Sequence, residues 1–261
     1  MSKIDDALTH ARAIECADLP GEQESLENYL KRAKIDWDLR GQHDPGRYVC
    51  ASPDASEAQI EASGRGDVVR EYLPRVLDYP HDTVLEIGAG FGRMTRWIAE
   101  YSKRVWGIDI SPSLVRKAHE RLGGMLSISI IEGDGITLNG IPNSIFDVAF
   151  EYLVFQHIPA EEIIISYIQE VWKKLKPGGV FIMHGRDVPA SETGTSTGNT
   201  WHGCRCGPDL VRKGMDGFGL DFTVVKEEGV GTDRYWVPVV LKEVLVQLWL
   251  NPEQTPIGDQ E

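Results

Sequence analysis

Val84-Leu85-Glu86-Ile87-Gly88-Ala89-Gly90-Phe91-Gly92 joins a short apolar run to three glycines, each one residue apart. An apolar run of this length closed by glycine is a buried strand entering a sharp turn. Glycine there lets the backbone turn tightly and approach a ligand with no Cβ in the way. A dinucleotide turn would read G-x-G-x-x-G. This one reads G-x-G-x-G, and Arg93 stands where the third dinucleotide glycine would fall. The departure argues against a nicotinamide dinucleotide and leaves, on its own, a generic strand-to-helix turn.

Downstream of this stretch, short apolar runs alternate with amphipathic helices. Strands are expected at Thr83–Ile87, Arg104–Ile108, Ser127–Ile131, Phe146–Phe150 and Val180–Met183. Helices are expected at Phe91–Tyr101, Leu114–Leu122 and Ala160–Leu175. Ser111 is an N-cap type and Pro112 suits a first helical position. Glu161 and Glu162 open the last helix, Lys173, Lys174 and Lys176 end it, and Pro177-Gly-Gly179 stops it. The alternation predicts an α/β fold, a mostly parallel sheet with helices on both faces. Such sheets bind ligands at the carboxyl ends of their strands. The residues just after each strand are therefore the candidate site.

After the second strand stands Asp109, about twenty positions past the glycines, where a carboxylate can accept from both hydroxyls of a ribose. After the third comes Glu132-Gly-Asp134-Gly135, where a carboxylate can accept from an exocyclic amine. After the fourth comes Glu151-Tyr152-Leu-Val-Phe-Gln-His157-Ile-Pro159. Each alone is an ordinary loop residue. The glycine turn, Asp109 and Glu132–Gly135 together outline a site of adenosine shape.

These residues carry a resemblance to class I S-adenosylmethionine-dependent methyltransferases. Val84–Gly92 resembles the first motif of that family, Gly107-Ile-Asp109-Ile-Ser111 its ribose motif and Glu132–Gly135 its adenine loop. Phe146-Asp-Val148 resembles the fourth-strand motif, and Leu175-Lys-Pro-Gly-Gly-Val-Phe181 the hallmark before the fifth strand. The match covers residues 65–185. It implies a Rossmann-like seven-stranded sheet with an antiparallel last strand, and S-adenosyl-L-methionine as cofactor, with S-adenosyl-L-homocysteine as product. By the resemblance, the Gly88-Ala89-Gly90 backbone approaches the methionine part. Asp109 takes the ribose hydroxyls and Ile110 packs on the adenine. Asp134, with Gly135 beside it, accepts from the adenine amine. The chain at Glu151 lies near the methionine ammonium, and Glu86 supports the glycine loop. His157 sits where many small-molecule members carry a histidine. It is the candidate base for a hydroxyl acceptor, or else a brace for the helix that follows.

The segment Gly185–Gly207 is long, polar and unlike the family, and includes Thr200-Trp-His-Gly-Cys204. A loop of this length beside the acceptor position is either a pocket wall or a surface loop. Tyr152, His184, Arg186, Trp201 and His202 are the candidate substrate contacts. Phe222–Lys226 and Arg234–Leu241 fit a sixth and a seventh strand, and 251–261 a flexible tail.

Residues 1–62 read as a mainly helical extension, with helices near Ile4–Ala17 and Glu22–Ala33 and a loop-like segment at Trp37–Tyr48. Trp37, Arg40 and Tyr48 either cover the cofactor or form a satellite apolar cluster. Asp67–Leu77 reads as a helix with Pro74 inside it. The methyltransferase domain is expected over 63–250.

Composition narrows the function. The net charge of −13 disfavours a phosphate backbone as partner, so no nucleic acid is expected. No apolar run is long enough for a membrane span, and the first residues lack the apolar core of a signal peptide. The four cysteines, at 16, 50, 204 and 206, suit a reduced, cytoplasmic compartment. Cys204-Arg-Cys206 lacks metal-site spacing, and no metal is expected. The functional expectation is transfer of a methyl group to a small molecule at oxygen. The alternatives are a protein or RNA methyltransferase, or a non-catalytic methyltransferase-like subunit. Oligomeric state is not readable from the sequence.

Overall fold

The structure is a computed structural model that describes residues 25–50, 54–186, 200, 203–216, 222–227 and 235–241. The helix expected near Ile4–Ala17, the tail at 251–261, Trp201 and His202 lie outside the described residues.

Five strands run parallel: β1 (Thr83–Ile87), β2 (Arg104–Asp109), β3 (Ile128–Glu132), β4 (Phe146–Glu151) and β5 (Leu175–Ile182). Their order across the sheet is β3-β2-β1-β4-β5, so the direction of progression reverses between β1 and β4. That switch point puts the loops after β1 and β4 side by side, which is where an open sheet leaves a crevice. β4 is buried along its whole length and β1 from its second residue on, as strands covered on both faces must be. One face carries Leu85, Ile87, Ala149 and Phe181 against the helix Glu161–Lys174, and the other carries Val84, Val105, Val148 and Val180 against Tyr72, Val76 and Ile98. Beyond β5 the sheet continues with β6 (Gly185–Arg186), β7 (Phe222–Glu227) and β8 (Tyr235–Leu241). β8 pairs antiparallel with β5, β6 and β7.

Helices are numbered α1 (Leu26–His43), α2 (Pro45–Cys50), α3 (Glu57–Asp67), α4 (Leu73–Val76), α5 (Thr95–Ile98), α6 (Pro112–Leu122), α7 (Glu161–Lys174) and α8 (Pro208–Gly214). Ser111 caps α6, its hydroxyl accepting from the Leu114 N–H at 3.2 Å, and Pro112 opens the helix.

Four sequence expectations need correction. The segment Trp37–Tyr48 is helical, because α1 runs on to His43 and Pro45 starts α2 at the position where proline loses nothing. Gly41 is tolerated inside α1 because a Cβ there would lie 2.6 Å from Leu114 Cγ. The helix expected at Asp67–Leu77 begins earlier, at Glu57. It passes through a π turn at Val68–Tyr72 before α4, and the Leu73 N–H donates to the Val68 carbonyl. That turn lies immediately ahead of Pro74, which has no N–H to give to a regular ladder. Of Phe91–Tyr101 only α5 is α-helical; Gly92, at φ +80°, holds the preceding residues in turns. Finally, Pro177-Gly-Gly179 belongs to β5. The helix has already ended at Lys174, and Leu175 is extended, with ψ 143°.

α1 lies against α6. Asp38 Oδ1 accepts from the Ser113 N–H at 2.7 Å and the Ser111 hydroxyl at 3.0 Å, and the Ser113 hydroxyl donates to the Asp38 carbonyl. Lys117 Nζ donates to the Gly41 carbonyl at 2.7 Å, capping the end of α1. These bonds place the N-terminal helices over the carboxyl ends of the strands.

Candidate cofactor and acceptor site

A cavity of about 580 Å³ opens at the carboxyl ends of β1, β2 and β4. Glu86, Gly88, Ala89, Gly90, Asp109, Ile110 and Gly135 form one wall. The facing wall holds Trp37, Tyr48 and Val49 from α1 and α2, and Tyr152, Gln156 and His157 from the segment after β4.

The glycine wall is shaped for close approach. Gly88 and Gly90 sit at φ +73° and +55°, and a Cβ on Gly88 would lie 2.1 Å from Val154 Cγ2. Gly107 is pressed in turn by Ala89, 2.7 Å from where its Cβ would be. Asp109 takes the Gly90 N–H on Oδ2 at 2.8 Å and the Ser111 N–H on Oδ1 at 2.9 Å. Each oxygen keeps a second lone pair, so the fixed carboxylate can still accept from two vicinal hydroxyls. Burial raises the Asp109 pKa, partly offset by these backbone bonds. The glycine cradle and this carboxylate fit the ribose and methionine parts of S-adenosylmethionine.

Glu86 faces the cavity and accepts from the Thr95 hydroxyl at 2.5 Å; burial pushes its pKa up to about 7. Arg93, buried beside it, bonds Ser63 at 3.0 Å and pairs with Asp67. Ser63, Asp67, Arg93 and Tyr167 also line the cavity and were not anticipated. A signal existed for the first three. Gly64 lies inside a helix, and a Cβ there would lie 2.2 Å from the Arg93 carbonyl oxygen, so α3 packs unusually close to the glycine loop.

Two expected cofactor residues stand off the cavity. Asp134 turns into its own loop, accepting from the N–H groups of Ile136 and Thr137 and from the Thr137 hydroxyl, while its neighbours Gly133 and Gly135 line the cavity. Glu151 is fully buried behind the wall. It accepts from the N–H groups of Val154 and Phe155 on Oε1 and of His184 on Oε2, and burial pushes its pKa up to about 7. The carboxylate thus braces the loop that carries His157 and ties it to the end of β5.

The acceptor candidates divide. Tyr152 lines the cavity, and burial raises its phenol pKa. His184 is buried against the Tyr152 ring at 5.3 Å, off the cavity, and burial lowers its pKa to about 4. Arg186 lies in β6, its backbone in register with Tyr235. Cys204 and Cys206 are buried free thiols; burial pushes Cys204 up to about 12.

His157 lines the cavity, its ring edge-on to Trp37 at 4.9 Å. Gln156 Nε2 lies 3.2 Å from both the Leu153 carbonyl oxygen and His157 Nε2. The carbonyl can only accept, so the amide donates to both, and His157 Nε2 presents a lone pair.

Residues 85–183 match the family of methyltransferase domains. Among curated relatives, the chain is 42% identical over 72 residues to a probable ribosomal RNA small subunit methyltransferase A of Methanosarcina mazei, covering 26% of this chain and 27% of that protein. It is 30% identical over 105 residues to the 2-methyl-6-phytyl-1,4-hydroquinone methyltransferase of Synechocystis, covering 40% and 32%. The chain thus spans only about a third or less of the length of these relatives. Among solved structures, its fold is similar to phosphoethanolamine N-methyltransferase 1 of Haemonchus contortus, in complex with phosphoethanolamine and S-adenosylhomocysteine. The TM-score is 0.60 at 22% identity, over 87% of this chain and 53% of that one. Residues 85–183 carry a methyltransferase domain, of the kind that takes S-adenosylmethionine as cofactor.

Proposed function

We propose that this chain transfers the methyl group of S-adenosylmethionine to a small-molecule acceptor at oxygen, with His157 as the base. The observation that supports it is the cavity. Trp37, Tyr48, Tyr152 and His157 line it together with the glycine loop, and its volume is in the range of small-ligand pockets. The seven-stranded sheet with an antiparallel last strand belongs to this reading, supported by the antiparallel pairing of Tyr235–Leu241 with β5. So do a cap formed by the N-terminal extension and a cytoplasmic setting. No described helix is long and apolar enough to cross a membrane.

When bound, S-adenosylmethionine supplies a methyl group already activated on sulfur. The chain's residues therefore align and exclude water. Asp109 holds the ribose and the Gly88–Gly90 backbone meets the methionine part. Trp37 and Tyr48 cover the site. His157 Nε2 accepts the proton of the acceptor hydroxyl, which takes the place of the Gln156 amide. Tyr152 lines the acceptor side. Asp134, Glu151 and His184 support the walls without facing the acceptor, and the roles given to Arg186, Trp201 and His202 stay with this proposal.

An RNA acceptor is the second reading, favoured by the 42% identity to the ribosomal RNA enzyme. The charge of −13 opposes it. Calorimetry with S-adenosylmethionine and S-adenosylhomocysteine, followed by an acceptor screen, tests the proposal. Both compounds are expected to bind, and His157→Ala to lower turnover by about 100-fold or more with cofactor affinity retained. Absence of binding removes the activity. Unchanged turnover in the variant removes the base.

A further inference from the structure

The stretch Thr200-Trp-His-Gly-Cys204 has no place in cofactor binding, yet its described residues close on His157 from two directions. The first is through the backbone. The Gly203 N–H donates to the Gln156 carbonyl at 2.6 Å and the Cys204 N–H to the Ile158 carbonyl at 2.7 Å. These two carbonyls flank His157. The approach is so close that a Cβ on Gly203 would lie 2.3 Å from the Ile158 carbonyl oxygen and 2.7 Å from the His157 carbonyl carbon.

The second direction is through side chains. Thr200 Oγ1 donates to Asp36 Oδ2 at 2.7 Å and accepts from Arg40 Nη2 at 2.8 Å, with all three residues buried. The Arg40 guanidinium lies 4.8 Å from the centre of the Trp37 ring and 5.7 Å from that of Tyr48. Trp37 in turn meets the His157 imidazole at 4.9 Å. The hydroxyl joins Arg40 to an aspartate that also pairs with the buried Arg32, so these groups form one buried polar network, and removing the hydroxyl takes a bond from both Asp36 and Arg40.

We propose that Thr200 and Gly203 are positioning residues for His157. Gly203 seats the backbone on either side of it. Thr200, through Arg40 and Trp37, sets the plane of its ring against the cavity. The segment that follows β5 thereby governs the acceptor side without touching the cofactor. The inference rests on His157 acting as the base, and its test separates the two.

The full-length variants Gly203→Ala, Thr200→Val and Thr200→Ser are compared with the wild type. The imidazole carbon–proton signal of His157 is followed by two-dimensional NMR and identified by its loss in His157→Asn. S-adenosylhomocysteine affinity and turnover are measured alongside. Gly203→Ala and Thr200→Val are expected to shift the signal and to lower turnover by between about 10-fold and 100-fold, the cost of misplacing a reacting group by about an ångström. Thr200→Ser keeps the hydroxyl and is expected to restore both. Should Gly203→Ala fail to fold, the Thr200 pair carries the test. A His157 signal unmoved in Thr200→Val, or equal losses in the Val and Ser variants, overturns the inference. A signal that moves in Thr200→Val while His157→Asn retains full turnover supports the positioning and refutes the base.

Discussion

The wall proposed to meet the cofactor comes from the consecutive strand ends between Glu86 and Gly135, whereas the rest of the cavity lining is gathered from distant parts of the chain. Trp37 and Tyr48 come from near one end and Gln156 and His157 from the middle, and Thr200, Gly203 and Cys204 brace them from beyond the fifth parallel strand. The first wall is mostly backbone and glycine, held by the sheet itself. The second is side chains, held by buried polar bonds between segments up to 164 positions apart. A wall of the first kind tolerates almost no added atom. One of the second kind can vary in sequence as long as its contacts close, which suits a site whose acceptor changes from one enzyme to another.

The sharpest way to break this comparison is Gly88→Ala. The backbone there is at φ +73°, and the new Cβ would meet Val154 at 2.1 Å. Strain of this kind costs about 1–3 kcal/mol before the clash is counted. S-adenosylhomocysteine affinity is expected to fall by about 100-fold or more in calorimetry. Binding within a few-fold of wild type would mean that the glycine wall is not the cofactor's. Asp109→Ala comes next. It removes a charged acceptor worth about 1.5–3 kcal/mol, so affinity is expected to drop by about 10- to 100-fold, while His157→Ala leaves it nearly unchanged. Equal losses from both variants would merge the two walls into one.

The smallest expected effect concerns protons. Burial raises the Glu86 pKa from 4.5 to about 7. Between those values the folded chain holds a proton that the unfolded chain has released. Stability from this group is therefore greatest at low pH and falls as pH rises through the window, by at most about 1.4 kcal/mol per pH unit. Glu86→Gln should flatten that slope in denaturant titrations between pH 4 and 8. An unchanged slope would place the proton elsewhere, with Glu151, raised for the same reason, as the next group to replace.

How far the chain could be read from its residues follows the same division. The parallel strands, the Ser111 cap and the place of Asp109 at the end of the second strand were legible, because each depends on local periodicity or on a fixed offset between neighbouring strands. The helical run through Trp37 and Gly41 was not, since its glycine is paid for by a contact with Leu114 on another helix. The side-chain settings of Asp134 and Glu151 were not legible for a related reason. A sequence gives the offset of a carboxylate from its strand, but not whether nearby N–H groups will claim its lone pairs first, as those of Ile136, Thr137, Val154, Phe155 and His184 do.

By itself, then, the sequence determined the strand-and-helix alternation, the glycine turn and the place of the carboxylate after the second strand. These are properties of short segments whose apolar periodicity admits one arrangement. Only the tertiary structure decided what faces that site. The lining of the cavity by Trp37 and Tyr48, the fastening of α1 through Asp38 and Thr200, and the backbone bonds of Gly203 and Cys204 on either side of His157 are contacts between segments far apart in the chain. No local pattern encodes such contacts. They are fixed by shape and by the cost of leaving a buried polar group unpaired.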